Sequence, residues 1–176
     1  MEKNTDYVLP FVGLSAGKHL YEYKIGDSFF EAIAYSEIKK GTLDAALTLN
    51  KQFGMLVLDF SINGTVNVPC DRCNEPFDLE VESNNRLVVN IGGEEMAGED
   101  TISIPATVSE INLAEYIYEY LILSLPIQRV HPDNKQGKMT CDKEAMKIYN
   151  KYIKKEEKTK TIDPRWEKLK GLDLNN

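Results

Sequence analysis

The chain has 176 residues and a mass of 20.0 kDa, the size of one domain with room for an appendage. With 42% hydrophobic and 28% charged residues it can bury a core without disulfide staples, which excludes a disordered or fibrous chain. The net charge of −7 divides unevenly: residues 1–134 hold 9 basic against 21 acidic side chains (−12), and residues 135–176 hold 12 against 7 (+5). An acidic body repels a polyanion, so nucleic acid, if touched, is expected at the basic C-terminal quarter, while the body suits a protein partner. No apolar stretch has the length of a signal peptide or a membrane span. The expectation is a cytoplasmic protein with no membrane contact.

Residues 1–18, with Pro10, Gly13 and Gly17, read as an extended lead-in. His19–Ile25 alternates, with Leu20 opposing Tyr21 and with Tyr23 and Ile25 on one face, and predicts a short strand. Asp27 is placed to cap a brief helix through Phe29, Phe30 and Ile33. Leu43, Ala45, Leu47 and Leu49 then alternate with polar or small residues, which predicts a strand with one face on a core and one in water. After a turn near Lys51–Gly54, the residues Leu56, Leu58, Phe60, Ile62, Val66 and Val68 share one parity, so a long strand can hold register despite Gly64. The Asn63-Gly64-Thr65 triplet matches a glycosylation sequon but reads as turn residues in a chain without a secretory leader. A third strand starts at Phe77, and its face of Phe77, Leu79 and Val81 resumes at Leu87, Val89 and Ile91 after a polar stretch, Ser83–Arg86. Three adjacent strands predict an antiparallel meander.

Gly92–Thr101 is glycine-rich and acidic and reads as a loop. Asn112 and Glu115 have the spacing of a capping box ahead of an apolar run. Leu113, Ile117, Leu121 and Leu125 recur every four residues until Pro126, which predicts a heavily buried helix across the sheet. A second helix is expected from Asp142 to about Glu157, with Ala145, Met146, Tyr149, Tyr152 and Ile153 as its apolar stripe and Lys147, Lys151, Lys154 and Lys158 exposed. In the closing DPRWEKLKGL, Pro164 can open a helical turn that places Trp166, Leu169 and Leu172 on one face. There is no internal repeat. The fold class is therefore α+β: an antiparallel β-meander sheet packed by a helix (residues 1–140), with a basic helical C-terminal extension (residues 141–176).

Chemistry concentrates in VPCDRCNEPF. Cys70 and Cys73 fall in a turn between two predicted strands, and two thiolates three residues apart can face one Zn²⁺, whose tetrahedron then needs two more donors. Cys141 and His131 are the candidates. They lie ten residues apart, wider than an ordinary half-site, so the fold must carry that stretch to the hairpin tip. The plainer readings are reduced cysteines and, for His131, a turn residue beside Pro132. Thiol redox chemistry is a further reading, although no helix N-terminus lies directly behind Cys70 to lower its pKa. Glu94, Glu95, Glu99 and Asp100 read as a solvated loop rather than a cation site. No phosphate loop, nucleophile elbow or metalloprotease motif is present, so no catalytic residue is expected. The lysine stripe of the second helix suits phosphates, though any surface helix shows such a stripe. Trp166 either docks on the body or anchors a partner.

The long strand ending in VPCDRCNEPFDLEVE, the segment INLAEYIYEYLILSLPIQRVHP, the later Cys141 and the closing DPRWEKLKGL together resemble the bacterial YceD-like family, also catalogued as domain of unknown function 177. The resemblance runs from about Val57 to Leu172. It implies a role in accumulation of large-subunit ribosomal RNA rather than an enzymatic activity. It also matches Cys70 and Cys73 to the family's first cysteine pair and Cys141 to a second cysteine-rich segment, here incomplete, so that a zinc site needs His131. The expected function is a non-catalytic factor for assembly or accumulation of large-subunit ribosomal RNA. Its expected partner is a large-subunit precursor, met as ribosomal RNA, ribosomal protein or both through Lys147, Lys151, Lys154, Lys158, Arg165 and Trp166, with zinc as the sole expected cofactor and no small-molecule substrate. The alternatives are a zinc- or thiol-dependent regulatory enzyme centred on the CxxC pair and a protein-binding module unrelated to ribosomes.

Overall fold

The computed structural model describes residues 5–93, 98, 100–133 and 140–152. After a 3₁₀ turn at Thr5–Tyr7, the chain forms β1 (Val8–Pro10), β2 (Gly17–Ile25), α1 (Asp27–Ala32), β3 (Lys40–Gln52), β4 (Met55–Pro69) and β5 (Pro76–Ile91). Then follow β6 (Thr101–Ile104), β7 (Glu110–Asn112), α2 (Ala114–Ser124) and α3 (Lys143–Tyr152). The main sheet runs β2-β3-β4-β5-β6, and β1 pairs with β7 in a separate two-stranded ribbon. The α+β class and the antiparallel meander hold for β2 through β5, and β6 adds to the edge in parallel.

Parity explains the core. The inward face gathers Leu43, Ala45, Leu47 and Leu49 of β3, six apolar residues of β4, and Phe77, Val81, Leu87 and Val89 of β5, all buried. On β4 these are the residues expected from sequence, Leu56 to Val68. Phe29 and Phe30 of α1 and Leu113, Ile117 and Leu121 around α2 cover that face, with α1 packed on β3 and α2 on β4 and β5. Burying this many large side chains, at roughly 1.5–3 kcal/mol each, is the main driving force for the two-layer arrangement.

Several local expectations are corrected. Asn63, Gly64 and Thr65 are not a turn but the middle of β4, paired on both sides. Gly64 takes φ +150°, and a Cβ there would be driven into the Thr42 carbonyl oxygen and to 2.7 Å from Leu43 Cα, so glycine lets the neighbouring backbone approach without a bulge. The polar stretch Ser83–Arg86 does not interrupt β5: Ser83 stays on the inward face, and its hydroxyl donates to the Tyr120 carbonyl of α2. The lead-in is not featureless, because Val8–Pro10 pairs with Glu110–Asn112. Nor is Thr101 the end of a loop, since it begins β6.

The helix caps also differ from the sequence reading. Gly26, not Asp27, occupies the α1 cap; the Asp27 carboxylate instead accepts the Gly41 N–H at the start of β3. Leu113 occupies the α2 cap while Asn112 ends β7, its Oδ1 accepting the Ala114 N–H at 3.0 Å. The Glu115 carboxylate meets the Tyr35 hydroxyl. Helix α2 stops at Ser124 because Leu125 precedes Pro126 and is forced extended, with ψ 138°. Helix α3 starts at Lys143, one residue after the expected Asp142, whose carboxylate accepts the Ala145 N–H at 2.7 Å. Tyr152, expected on the buried stripe of α3, is 73% exposed. Ile153, Glu157 and the DPRWEKLKGL segment lie outside the described residues. Among the described residues no helix is long and apolar enough to cross a membrane.

One cation closes the rim of the sheet. Lys51 Nζ donates to the carbonyls of Phe11, Val12 and Leu14 at 2.8, 3.0 and 2.8 Å, pinning the lead-in to the β3–β4 end. Lys51→Met is expected to cost about 1.5–3 kcal/mol in urea unfolding, the value of charge-assisted hydrogen bonds. Gly64→Ala is expected to cost more, about 3 kcal/mol or above, through forced φ and backbone clash. Gly13→Ala, where nothing lies within 4 Å, serves as the neutral control in the same titration.

Candidate metal centre

The β4–β5 ladder ends on Pro69 opposite Pro76, two residues without an N–H to extend it. The intervening tip is a tight turn. Cys70 N–H donates to the Glu75 carbonyl at 3.0 Å and Asn74 N–H donates to the Cys70 carbonyl at 2.8 Å, with Asn74 in the left-handed region at φ 60°, which asparagine tolerates better than most residues. The turn brings both thiols to one side and aims the N–H groups of Arg72 and Cys73 at the Cys70 sulfur.

Asp71, between the cysteines, ties the tip to the segment after α2. Its N–H donates to the Arg129 carbonyl at 2.7 Å, and its carboxylate accepts the Arg129 N–H at 2.6 Å. The Arg129 guanidinium lies 3.9 Å from both the Asp71 and the Glu37 carboxylates. Two residues later comes His131, whose ring packs on Phe77 at 4.8 Å between centroids. Cys141 arrives from the other side, steadied by the Thr140 hydroxyl, which donates to the Pro132 carbonyl at 2.8 Å.

The four donors expected from sequence therefore converge. The ligand atoms of Cys70, Cys73, His131 and Cys141 all lie within 4.8 Å of one another, with the cysteines buried and His131 half-buried. Cys70 Sγ is 3.8 Å from Cys141 Sγ, and His131 Nδ1 is 3.4 Å from Cys73 Sγ and 3.7 Å from Cys141 Sγ. Around a tetrahedral zinc, Zn–S and Zn–N bonds of about 2.3 and 2.0–2.1 Å set edges of about 3.8 Å for S···S and about 3.6 Å for S···N. These three separations match those edges. They are far longer than a disulfide bond, and all three cysteines are free thiols.

The electrostatics suit a dication. Burial pushes the Cys70 thiol up, but N–H groups of Arg72, Cys73 and His131 and the His131 side chain outweigh it and bring the thiol to about 6. Cys141 is pushed up to about 11 by burial and then by Cys70 and Cys73 beside it. Thiolates crowded in a dry site repel one another, and a divalent cation held by Cys70, Cys73, His131 and Cys141 would offset that repulsion. A set of four protein donors leaves no open coordination position, the mark of a structural zinc site.

The remaining expected contact residues lie elsewhere. Lys147 and Lys151 are exposed on α3, whereas Lys154, Lys158, Arg165 and Trp166 lie outside the described residues, as do Glu94, Glu95 and Glu99. Asp71, Arg129 and Phe77, which position the donors, escaped the sequence reading. The one available signal was an aspartate between two cysteines and an arginine two residues before the histidine, a pairing that only the fold can make.

No curated protein and no solved structure matches the chain at a significant level. The family described as large ribosomal RNA subunit accumulation protein YceD matches residues 58–173, a span that begins in β4 and takes in all four donors. Because that match covers well over half of the sequence, the chain belongs to the YceD family.

Proposed function

We propose that this protein is a non-catalytic factor that supports accumulation of large-subunit ribosomal RNA, built on a zinc-stapled α+β body (residues 1–140) with a basic arm (residues 141–176). The convergence of Cys70, Cys73, His131 and Cys141 at tetrahedral spacing carries the structural half of this reading. The family name carries the ribosomal half. Bound zinc would supply cross-links rather than reaction chemistry, since four protein donors fill its coordination sphere. Cys70 has the lowered pKa that thiol chemistry requires, yet it is buried and faced by the other donors, which favours ligation over attack on a substrate.

The charge division assigns the contacts. The acidic body meets a basic ribosomal or assembly protein, and Lys147 and Lys151, continued in sequence by Lys154, Lys158, Arg165 and Trp166, meet the precursor particle through its RNA or a second protein. Exposed Tyr152 lies beside Lys151, whose ammonium is 5.7 Å from the ring centroid, so α3 offers both a cation and an aromatic face to RNA.

Purified protein is expected to take up one zinc per chain, and cobalt substitution should give the intense thiolate-to-metal absorption of a tetrahedral sulfur-rich site. Asp71→Ala, which loosens the His131 segment without removing a donor, should weaken zinc binding about 10–100-fold in competition with a chromophoric chelator. Sedimentation of the tagged protein with large-subunit precursors should be lost at high salt. Replacing Lys147 and Lys151 together by glutamine should lower the slope of log affinity against log salt by about 2. An unchanged slope would remove α3 from the contact.

A further inference from the structure

The four donors join three stretches of chain that the body holds with very different strength. Cys70 and Cys73 cap the β4–β5 ladder, fifteen register pairs long, which needs no metal to form. His131 follows Arg129, already fixed to Asp71 by two hydrogen bonds and placed beside Glu37. Cys141 leads directly into Asp142, whose carboxylate and carbonyl accept the Ala145 and Met146 N–H groups of the first turn of α3. Of that helix only Met146 is buried. Ala145 and Tyr149 are half-buried, while Ile148 and Tyr152 are exposed. Ten residues is also shorter than the roughly 12–15 at which an isolated helix becomes even marginally stable in water.

We infer that the metal centre is a latch for the lysine-bearing arm: the ion holds Cys141 against the hairpin tip, which seats the Asp142 cap and α3, and its loss frees the helix while the sheet stays folded. The inference rests on the zinc reading above and adds what the ion controls. The wholly buried side chains Leu49, Leu56, Leu58, Ile62 and Val89 belong to the sheet, whose main helical cover is α1 and α2, so the core survives when the latch opens. What changes is the presentation of Lys147 and Lys151. Metal occupancy thereby regulates the surface offered to the precursor particle, and a zinc-free chain keeps its acidic body but displays no ordered cationic helix.

Hydrogen exchange read by mass spectrometry on the full chain, loaded with one equivalent of zinc or stripped by a chelator, tests this. Stripping should speed exchange of the 143–152 amides at least about tenfold and that of β3, β4 and β5 around Leu49, Leu58 and Leu87 less than about twofold. Restoring zinc should reverse the change, and Cys141→Ser should show the stripped pattern even with zinc present. Should that variant fail to fold, the wild-type comparison decides alone. If zinc leaves and α3 keeps its protection, the latch is wrong and the zinc reading stands. Faster exchange throughout the sheet also overturns the latch, because the ion then holds the whole fold. A chain that takes up no zinc sinks both.

Discussion

Strand β4 pairs with β3 on one side over thirteen residues and with β5 on the other over fifteen, in constant register. Side chains alternate with period two, so one inserted residue would turn everything beyond it from the core to solvent. The molecule keeps Leu56 through Val68 on a single face only because Gly64, directly opposite Leu43 and Val81, lets the backbones close without bulging. The ladder then runs to Pro69 and Pro76 and stops. Helix α2 rests on this surface through Ile117, Tyr120 and Leu121, with the Tyr120 ring 5.3 Å from that of Phe60. The cysteine tip is positioned by the same ribbon, whose inward face is buried along its length.

The centre at that tip depends on long-range partners more than on local sequence. Asp71 of the tip and Arg129, fifteen residues beyond the start of α2, meet through reciprocal hydrogen bonds. Such bonds, at the edge of the fold and partly shielded, hold a loop that buries little apolar surface of its own. Their effect is to fix the segment that carries His131. Elsewhere, charges are handled more cheaply: Lys24 pairs with Asp44 and Arg86 with Asp59 on the outer face of the sheet, all substantially exposed, where such contacts contribute little to stability.

Much of this was legible in the residues. Period-two alternation marks β3, β4 and β5 because each has one wet face and one dry face. It fails where an element is too short to show a period: Val8–Pro10, Thr101–Ile104 and Glu110–Asn112 become strands only through partners distant in sequence. Ser83 misleads because a hydroxyl on an inward position looks like a break until the Tyr120 carbonyl is seen above it. Asn112 carries the right chemistry one residue too early, since its side chain reaches Ala114 from the end of a strand. At the candidate metal centre, the CxxC spacing identifies two of the four clustered side chains. The separation of His131 from Cys141 gives no hint that they meet, because the spacing shows neither the Asp71–Arg129 bonds nor the Thr140–Pro132 bond that hold the two flanks.

The order of these elements along the chain has a consequence for biosynthesis. Strands β2 to β5 are joined as nearest neighbours, the β3–β4 connection being the two-residue turn Phe53-Gly54, so they can zip together as they emerge. The first two thiols can thus be organised before His131 and Cys141 have been made. The donor set is completed only when Cys141 follows, 68 residues after Cys73. On the zinc reading proposed above, metal capture would be a late maturation step performed on a scaffold already in shape, and a nascent chain short of zinc would have its sheet assembled and its last coordination bond still to be made.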